Sequence, residues 1–358
     1  MTAMRRWVGG AASAALIGAA GVRAQVPPGH DFVMRDFHFT SGETLPELRL
    51  QYRTFGTIRR NAAGHVVNAV LIMHGTGGAG TQFIRPEFSG ELFGAGQILD
   101  TARYFIILPD DIGHGGSSKP SDGLKAAFPH YGYADMVMAE HALVSDGLHV
   151  DHLRLVMGTS MGCMHSWMWG EQYPAYMDGL VPLACAPTQI AGRNRMFRDM
   201  MMDDIRDDPA WMAGNYQTQP AGFSAALRTE LLVSSNPIQY QRSAPTRDSA
   251  DHFLASRLRA MVATSDANDL LYQIASSRDY DPSSHLEQIA APVLAINSAD
   301  DVINPPELGL MERLMPRVAH GRYVLLPLSD ATRGHGTHTM AAVWKSYLEA
   351  FIATLPER

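Results

Sequence analysis

Five residues, Gly158-Thr159-Ser160-Met161-Gly162, carry the first chemical signal in this sequence. They match G-x-S-x-G, in which a serine stands on a tight, strained turn between a strand and a helix and small neighbours leave room for adjacent backbone. The flanks agree: HLRLVMG (152–158) reads as a buried strand and MGCMHSWMWGEQ (161–172) as a helix. A hydroxyl placed there stands at the carboxyl end of the sheet, where open α/β folds bind ligands, and at a helix N-terminus, which favours negative charge. Ordinary glycine content produces the bare pattern by chance in about one chain in ten of this length. Its setting between strand and helix is what makes it informative.

A serine hydroxyl attacks only when a base takes its proton, and the base needs an acid to orient it. On this kind of elbow the chain order is serine, acid, histidine. Asp301 lies in Ala299-Asp300-Asp301-Val302-Ile303-Asn304-Pro305-Pro306, just after an apolar strand, and is the preferred acid; Asp300 reads as a loop or capping residue. His335 follows the last strand between Gly334 and Gly336, a loop position suited to a mobile base, with His338 second. The chain has 15 histidines, most of them surface or satisfied polar groups, so the ordered conjunction matters more than any one residue. Oxyanion donors would be the amide of Met161 and the amide of Thr76 in His74-Gly75-Thr76-Gly77-Gly78, with Gly77 the alternative. That glycine-rich loop lacks the Gly-Lys-Ser/Thr ending of a phosphate-binding loop. Asp110-Asp111-Ile112-Gly113-His114 resembles metal ligands in composition but reads as a turn in the cleft wall, and no spaced His/Cys cluster supports zinc. No metal and no cofactor are expected.

These residues need a scaffold. DFVMRDFHF (31–39) and ELRLQYRTFG (47–56) alternate as an antiparallel hairpin, turning at Ser41-Gly42. Then short apolar runs follow at 69–75, 104–110, 152–158, 180–186, 292–298 and 322–328, separated by glycine-rich loops and by helical patterns at 134–147, 161–172 and 337–354. Near-continuous apolar strands alternating with helices predict a mostly parallel, doubly wound α/β sheet covered on both faces. From about 188 to 288 there is no strand signal, only helical patches rich in Met, Leu, Trp and Tyr, which read as a helical lid inserted between 25–187 and 289–358 of the core.

Net charge −7, 46% hydrophobic and 18% charged residues describe an ordinary globular chain. The absence of basic runs argues against nucleic acid or an anionic membrane as partner. Residues 1–24 read as a signal peptide, with Arg5-Arg6, an uncharged run from Val8 to Val22 and Val22-Arg23-Ala24 before the cleavage point, implying a periplasmic or secreted protein with no span in the mature chain. Cys163 and Cys185 are too few for a disulfide framework and, beside predicted strand ends, are expected as free buried thiols.

The sequence resembles the α/β-hydrolase superfamily and, within it, the homoserine O-acetyltransferase-like branch. Three stretches carry the likeness: GTSMGCMHSWMWGEQYP (158–174), DMVMAEHALV (135–144), and Asp208-Pro209-Ala210-Trp211-Met212-Ala213-Gly214-Asn215-Tyr216. The resemblance implies that Ser160, Asp301 and His335 are the family's triad. It also implies a lid arginine, in a Gln-Arg pair ahead of the Asp-Pro, that would hold an amino-acid carboxylate. Here that stretch is Met200-Met201-Met202-Asp203-Asp204; Arg195, Arg198 and Arg206 lie nearby but out of register. The loop IGHGGSSKP (112–120) replaces a cysteine-containing one and is of a hydrolase type. The expectation is therefore a serine hydrolase acting on a small-molecule carboxylic ester, with O-acyl transfer to an alcohol or thiol acceptor as the alternative. Such a lid can also pair two copies into a homodimer.

Overall fold

The computed structural model describes residues 26–356. The leader read at 1–24 lies outside the described residues. Eight strands form one sheet: β1 (His30–His38), β2 (Thr44–Phe55), β3 (Ala69–Met73), β4 (Phe105–Pro109), β5 (Leu155–Thr159), β6 (Leu180–Leu183), β7 (Val293–Ser298) and β8 (Gly321–Leu326). Their order is β1-β2-β4-β3-β5-β6-β7-β8; β1–β2 and β2–β4 are antiparallel and the remaining pairs parallel. The longer helices are α1 (Tyr133–Ala142), α2 (Met161–Gln172), α3 (Gly192–Arg206), α4 (Ala221–Val233), α5 (Pro237–Ser243), α6 (Arg247–Thr264), α7 (Ala267–Ala275) and α8 (Ala341–Ile352). This is the α/β-hydrolase architecture, with α3–α7 inserted between β6 and β7. Among the described residues no helix is long and apolar enough to cross a membrane.

The reason for the parallel core is visible strand by strand. Every residue of β3, β4, β5, β6 and β7 is buried, because helices cover both faces and leave no polar side to alternate with. One face packs Trp167 and Trp169 of α2 with Tyr133 and Met136 of α1. The other packs Trp344 and Leu348 of α8 with Phe88 and Leu92. The lid has its own core, built from Phe197, Met201 and Ile205 of α3, Phe223 and Leu227 of α4, and Leu271 of α7. It is thus a packed subdomain, stabilised by its own apolar burial.

Three expectations need correction. The helix read over 134–147 ends at Ala142 and continues as a wider turn through Leu143–Gly147. The helix read from 337 begins at Ala341, because Met340 leaves helical dihedrals and Thr337 Oγ1 instead accepts from the Arg333 amide at 2.8 Å. The thiols of Cys163 and Cys185 are bonded to each other, not free. Cys163 lies in the first turn of α2 and Cys185 just past β6; β5 and β6 are adjacent and parallel, so the segments leaving them run side by side. The two Cα atoms stand 5.9 Å apart, within bridging range.

Candidate active site

Ser160 is the residue between β5 and α2, and its backbone shows what the turn costs: φ is +55° and ψ −108°, a region non-glycine residues seldom occupy. Both flanking glycines are dictated by contact. A Cβ on Gly158 would fall 2.1 Å from the Gly162 carbonyl oxygen, and one on Gly162 would fall 2.2 Å from that of Met73. The turn is held by Ser160 N donating to Leu183 O and Gly162 N donating to His74 O, each at 2.9 Å.

Two loops bring the partners to it. His335 Nε2 is 2.8 Å from Ser160 Oγ, and His335 Nδ1 is 2.8 Å from Asp301 Oδ2. Asp301 is 2% exposed. Its Oδ1 accepts the amides of Ile303 (2.8 Å) and Asn304 (3.2 Å), and its Oδ2 also accepts from Asn304 Nδ2 at 3.1 Å. Burial alone would raise its carboxyl, but the His335 charge and these hydrogen bonds outweigh burial and hold it below the ordinary carboxylate range. The structure therefore brings Ser160, His335 and Asp301 into one hydrogen-bonded chain.

The alternatives fall elsewhere. Asp300 does not reach His335; its carboxylate accepts from Ser298 Oγ, Gly334 N (2.9 Å) and the lid's Asn236 Nδ2 (2.6 Å), so it fastens the histidine loop to the lid. The His338 ring centroid is 5.1 Å from that of His335. Burial, then the His335 charge, pushes its imidazole down to about 3, so it stays neutral and makes a poor base.

The loop after β3 passes directly under the serine: a Cβ on Gly75 would stand 3.3 Å from Ser160 Cβ. His74 holds it there, with Nδ1 2.8 Å from Gly75 O and Nε2 accepting the Asp111 amide at 3.0 Å. The amides of Thr76 and Met161 donate to no acceptor among the described residues. Gly77, with φ +71°, lies farther along, beside Glu230 and Gln273.

The Asp110–His114 turn splits in two. Asp110 accepts Gly80 N (2.7 Å) and Gly116 N (2.8 Å) and shapes the wall. Asp111 points inward to Glu140 and His165, the three offering metal-type ligand atoms within 4.8 Å of one another. Glu140 is already occupied, by His165 Nδ1 at 2.7 Å and Trp169 Nε1 at 2.6 Å. Burial raises both carboxyls, Glu140 to about 7, and lowers His165. The group fits a largely neutral buried network that carries its own proton.

Above Ser160 lies a chamber of about 360 Å³, walled by Met164 of α2, Phe197, Arg198 and Met201 of α3, and Leu270 of α7. Sequence reasoning missed Asn304, which braces the acid, and Asn236, which joins lid and core; an Asp-x-x-Asn spacing was the only hint of the first.

The comparisons agree with this fold. Residues 68–323 match the family described as alpha/beta hydrolase fold. A homoserine O-acetyltransferase of Geotalea uraniireducens is 30% identical over 310 residues, covering 76% of this chain and 81% of that protein. Among solved structures, homoserine O-acetyltransferase from Bacillus anthracis superposes with a TM-score of 0.80 at 20% identity, covering 92% of this chain and 99% of the other. Esterase E22 superposes with a TM-score of 0.78 at 21% identity, covering 91% and 99%.

Proposed function

The chain belongs to the alpha/beta hydrolase fold family, in its homoserine O-acetyltransferase-like branch, and from this premise we propose that it is a serine hydrolase that cleaves a carboxylic ester through an acyl-enzyme on Ser160. The observation that carries the reading is the pair of 2.8 Å contacts from Asp301 through His335 to Ser160. His335 Nε2 takes the hydroxyl proton as Oγ attacks the ester carbon, and Asp301 keeps the imidazole in the tautomer that can accept it. The Thr76 and Met161 amides receive the tetrahedral oxyanion, worth about 3 kcal/mol of barrier for each donor. The alcohol leaves with the proton from His335, and water, activated by the same imidazole, releases the acid. Thr76 and Met161 therefore have oxyanion roles, and no cofactor or metal takes part in any step.

Hydrolysis rather than transfer is favoured by the lid. Where the transferase pattern has its carboxylate-holding arginine, this chain has the stretch Met200-Met201-Met202-Asp203-Asp204, of which Met201 and Met202 are buried. Transfer to an alcohol acceptor is the second reading, favoured by the relative just described, whose name gives that activity. The deciding experiment follows p-nitrophenol release from p-nitrophenyl acetate, with and without L-homoserine, for the mature chain and for Ser160→Ala. Steady, Ser160-dependent turnover indifferent to homoserine supports hydrolysis; a burst that stalls until homoserine is added makes the chain a transferase. The leader at 1–24 makes the protein periplasmic or secreted on this reading, and the Cys163–Cys185 bond supports an oxidising compartment.

A further inference from the structure

The stretch Gly75-Thr76-Gly77-Gly78 carries a single side chain, that of Thr76. Glycines give up the most backbone freedom when they are ordered, so a loop built from them needs an outside hold to keep one amide aimed in one direction. His74 supplies one hold, through the Gly75 carbonyl. The hydroxyl of Thr76 is the only other handle. Although Thr76 borders the serine's chamber, its Oγ1 is fully enclosed. It meets the hydroxyl of Tyr133, which in turn meets the Arg198 guanidinium. Apart from these contacts neither hydroxyl has a hydrogen-bond partner among the described residues. The contacts are loose at rest, as catalytic hydrogen bonds often are before the transition state draws them in.

Tyr133 is wholly buried and is tied down twice. Its ring stands edge-on to His165, with centroids 4.8 Å apart, and its amide donates to Asp279 Oδ1 at 3.0 Å. Asp279 ends the short turn Ser276–Asp279 that follows the last lid helix. Ser277 Oγ of the same turn accepts from Arg198 Nη1 at 3.3 Å. Arg198, 6% exposed on α3, also donates from Nε to Asn194 Oδ1 at 3.0 Å. One turn therefore fixes both the tyrosine and the arginine that meet at the phenol. A guanidinium only donates, so the Tyr133 oxygen accepts from Arg198 and its own proton is left for Thr76 Oγ1. Burial raises the Tyr133 hydroxyl above its ordinary value, which keeps that proton in place.

Resting on the acyl-enzyme reading above, we propose that Tyr133 is a positioning residue of the reaction: its hydroxyl, held by Arg198 of the lid, grips Thr76 Oγ1 and keeps the Thr76 amide aimed at the oxyanion. An enclosed hydroxyl acts through that amide alone, so its loss falls on the tetrahedral stage and not on ester binding.

Tyr133→Phe keeps the ring against His165 and removes only the hydroxyl. Its kcat on p-nitrophenyl acetate is expected to fall by about 10- to 100-fold, with KM little changed. Arg198→Gln should lower kcat in the same direction by a smaller factor. Tyr133→Phe combined with Thr76→Val should lose no more than Thr76→Val alone, because both remove one contact. A second readout needs no turnover: binding of trifluoromethyl propyl ketone, followed by fluorine NMR. Ser160 Oγ adds to the ketone carbon, its proton passes to His335, and the new oxyanion falls to the Thr76 and Met161 amides. Tyr133→Phe should weaken that adduct by the factor it takes from kcat/KM. A variant equal to the wild type in both readouts, a loss confined to KM, or additive losses in the double variant overturns the inference and leaves the hydrolase reading intact. If no ester is turned over through Ser160, that reading fails and the ketone decides separately. Weaker ketone binding by Tyr133→Phe then upholds the hold on the loop; equal binding, or none by the wild type, refutes it. Should Tyr133→Phe fail to fold by circular dichroism, Arg198→Gln carries the same comparison, and an effect on KM alone refutes the role.

Discussion

Replacing both cysteines, Cys163→Ala with Cys185→Ala, removes the bond that ties the first turn after the nucleophile to the end of β6. The closed loop spans 22 residues. Chain-entropy reasoning gives a stabilisation of about 3.4 kcal/mol at 25 °C for a loop of that length. Roughly 330 ordered residues at about 2.1 cal/mol/K each give an unfolding entropy near 0.7 kcal/mol/K, so the melting temperature should fall by about 5 °C. The loss should also reach the chemistry. Cys185 O accepts from Asn297 Nδ2 at 3.1 Å, and the preceding Ala184 O accepts from Asn304 Nδ2 at 3.0 Å, the side chain that also steadies Asp301. Thermal melting followed by circular dichroism, alongside ester turnover at 25 °C, measures both. A double variant melting within about 1 °C of the wild type would show that the bond constrains nothing the fold does not already fix, and the entropic argument fails.

Asp301→Asn should lower kcat by about 10³- to 10⁴-fold, since the amide leaves the imidazole in the wrong tautomer, while Asp300→Asn should cost far less; comparable losses in steady-state assays would contradict the assignment of the acid. For Glu140, burial raises the folded carboxyl from 4.5 to about 7, so its contribution to stability is full below about 4.5 and is lost as pH rises through about 7. A shift of that size amounts to about 3 kcal/mol between pH 5 and 9. Glu140→Gln should therefore flatten the fall of melting temperature over that window, and an unchanged slope refutes the account. Gly162→Ala places a methyl 2.2 Å from the Met73 carbonyl oxygen and should cost at least about 3 kcal/mol; a soluble variant with wild-type denaturant midpoint would contradict the contact.

The parts legible in the sequence were those governed by local rules. Strand positions followed from apolar runs, because a doubly covered strand has no polar face. The elbow followed from glycines that only close backbone approach can explain. The order of Ser160, Asp301 and His335 followed from which loops leave the same end of a parallel sheet. What could not be read depends on three-dimensional convergence. Cys163 and Cys185 looked like separate buried thiols because sequence does not show that two strand ends are neighbours. Arg198 stood out of register as one arginine among several, and only packing shows that Arg195 has a partner while Arg198 opens onto the chamber. The acidic turn at 110–111 did not reveal that its two aspartates face opposite ways.

Asn236 caps α5, its Oδ1 accepting the Gln239 amide at 2.8 Å, while its Nδ2 reaches Asp300 Oδ2 and, at 3.3 Å, Thr332 O. Asp300 in turn receives the amide of Gly334, the residue before His335. One lid residue is thus anchored to both the acid loop and the base loop, and the lid cannot be treated as a replaceable module. An engineer who grafts a lid from a relative onto this core to change its substrate range would cut that anchor. The graft would have to carry an asparagine at the same helix start, or the new enzyme would gain a binding chamber at the expense of the alignment of its base.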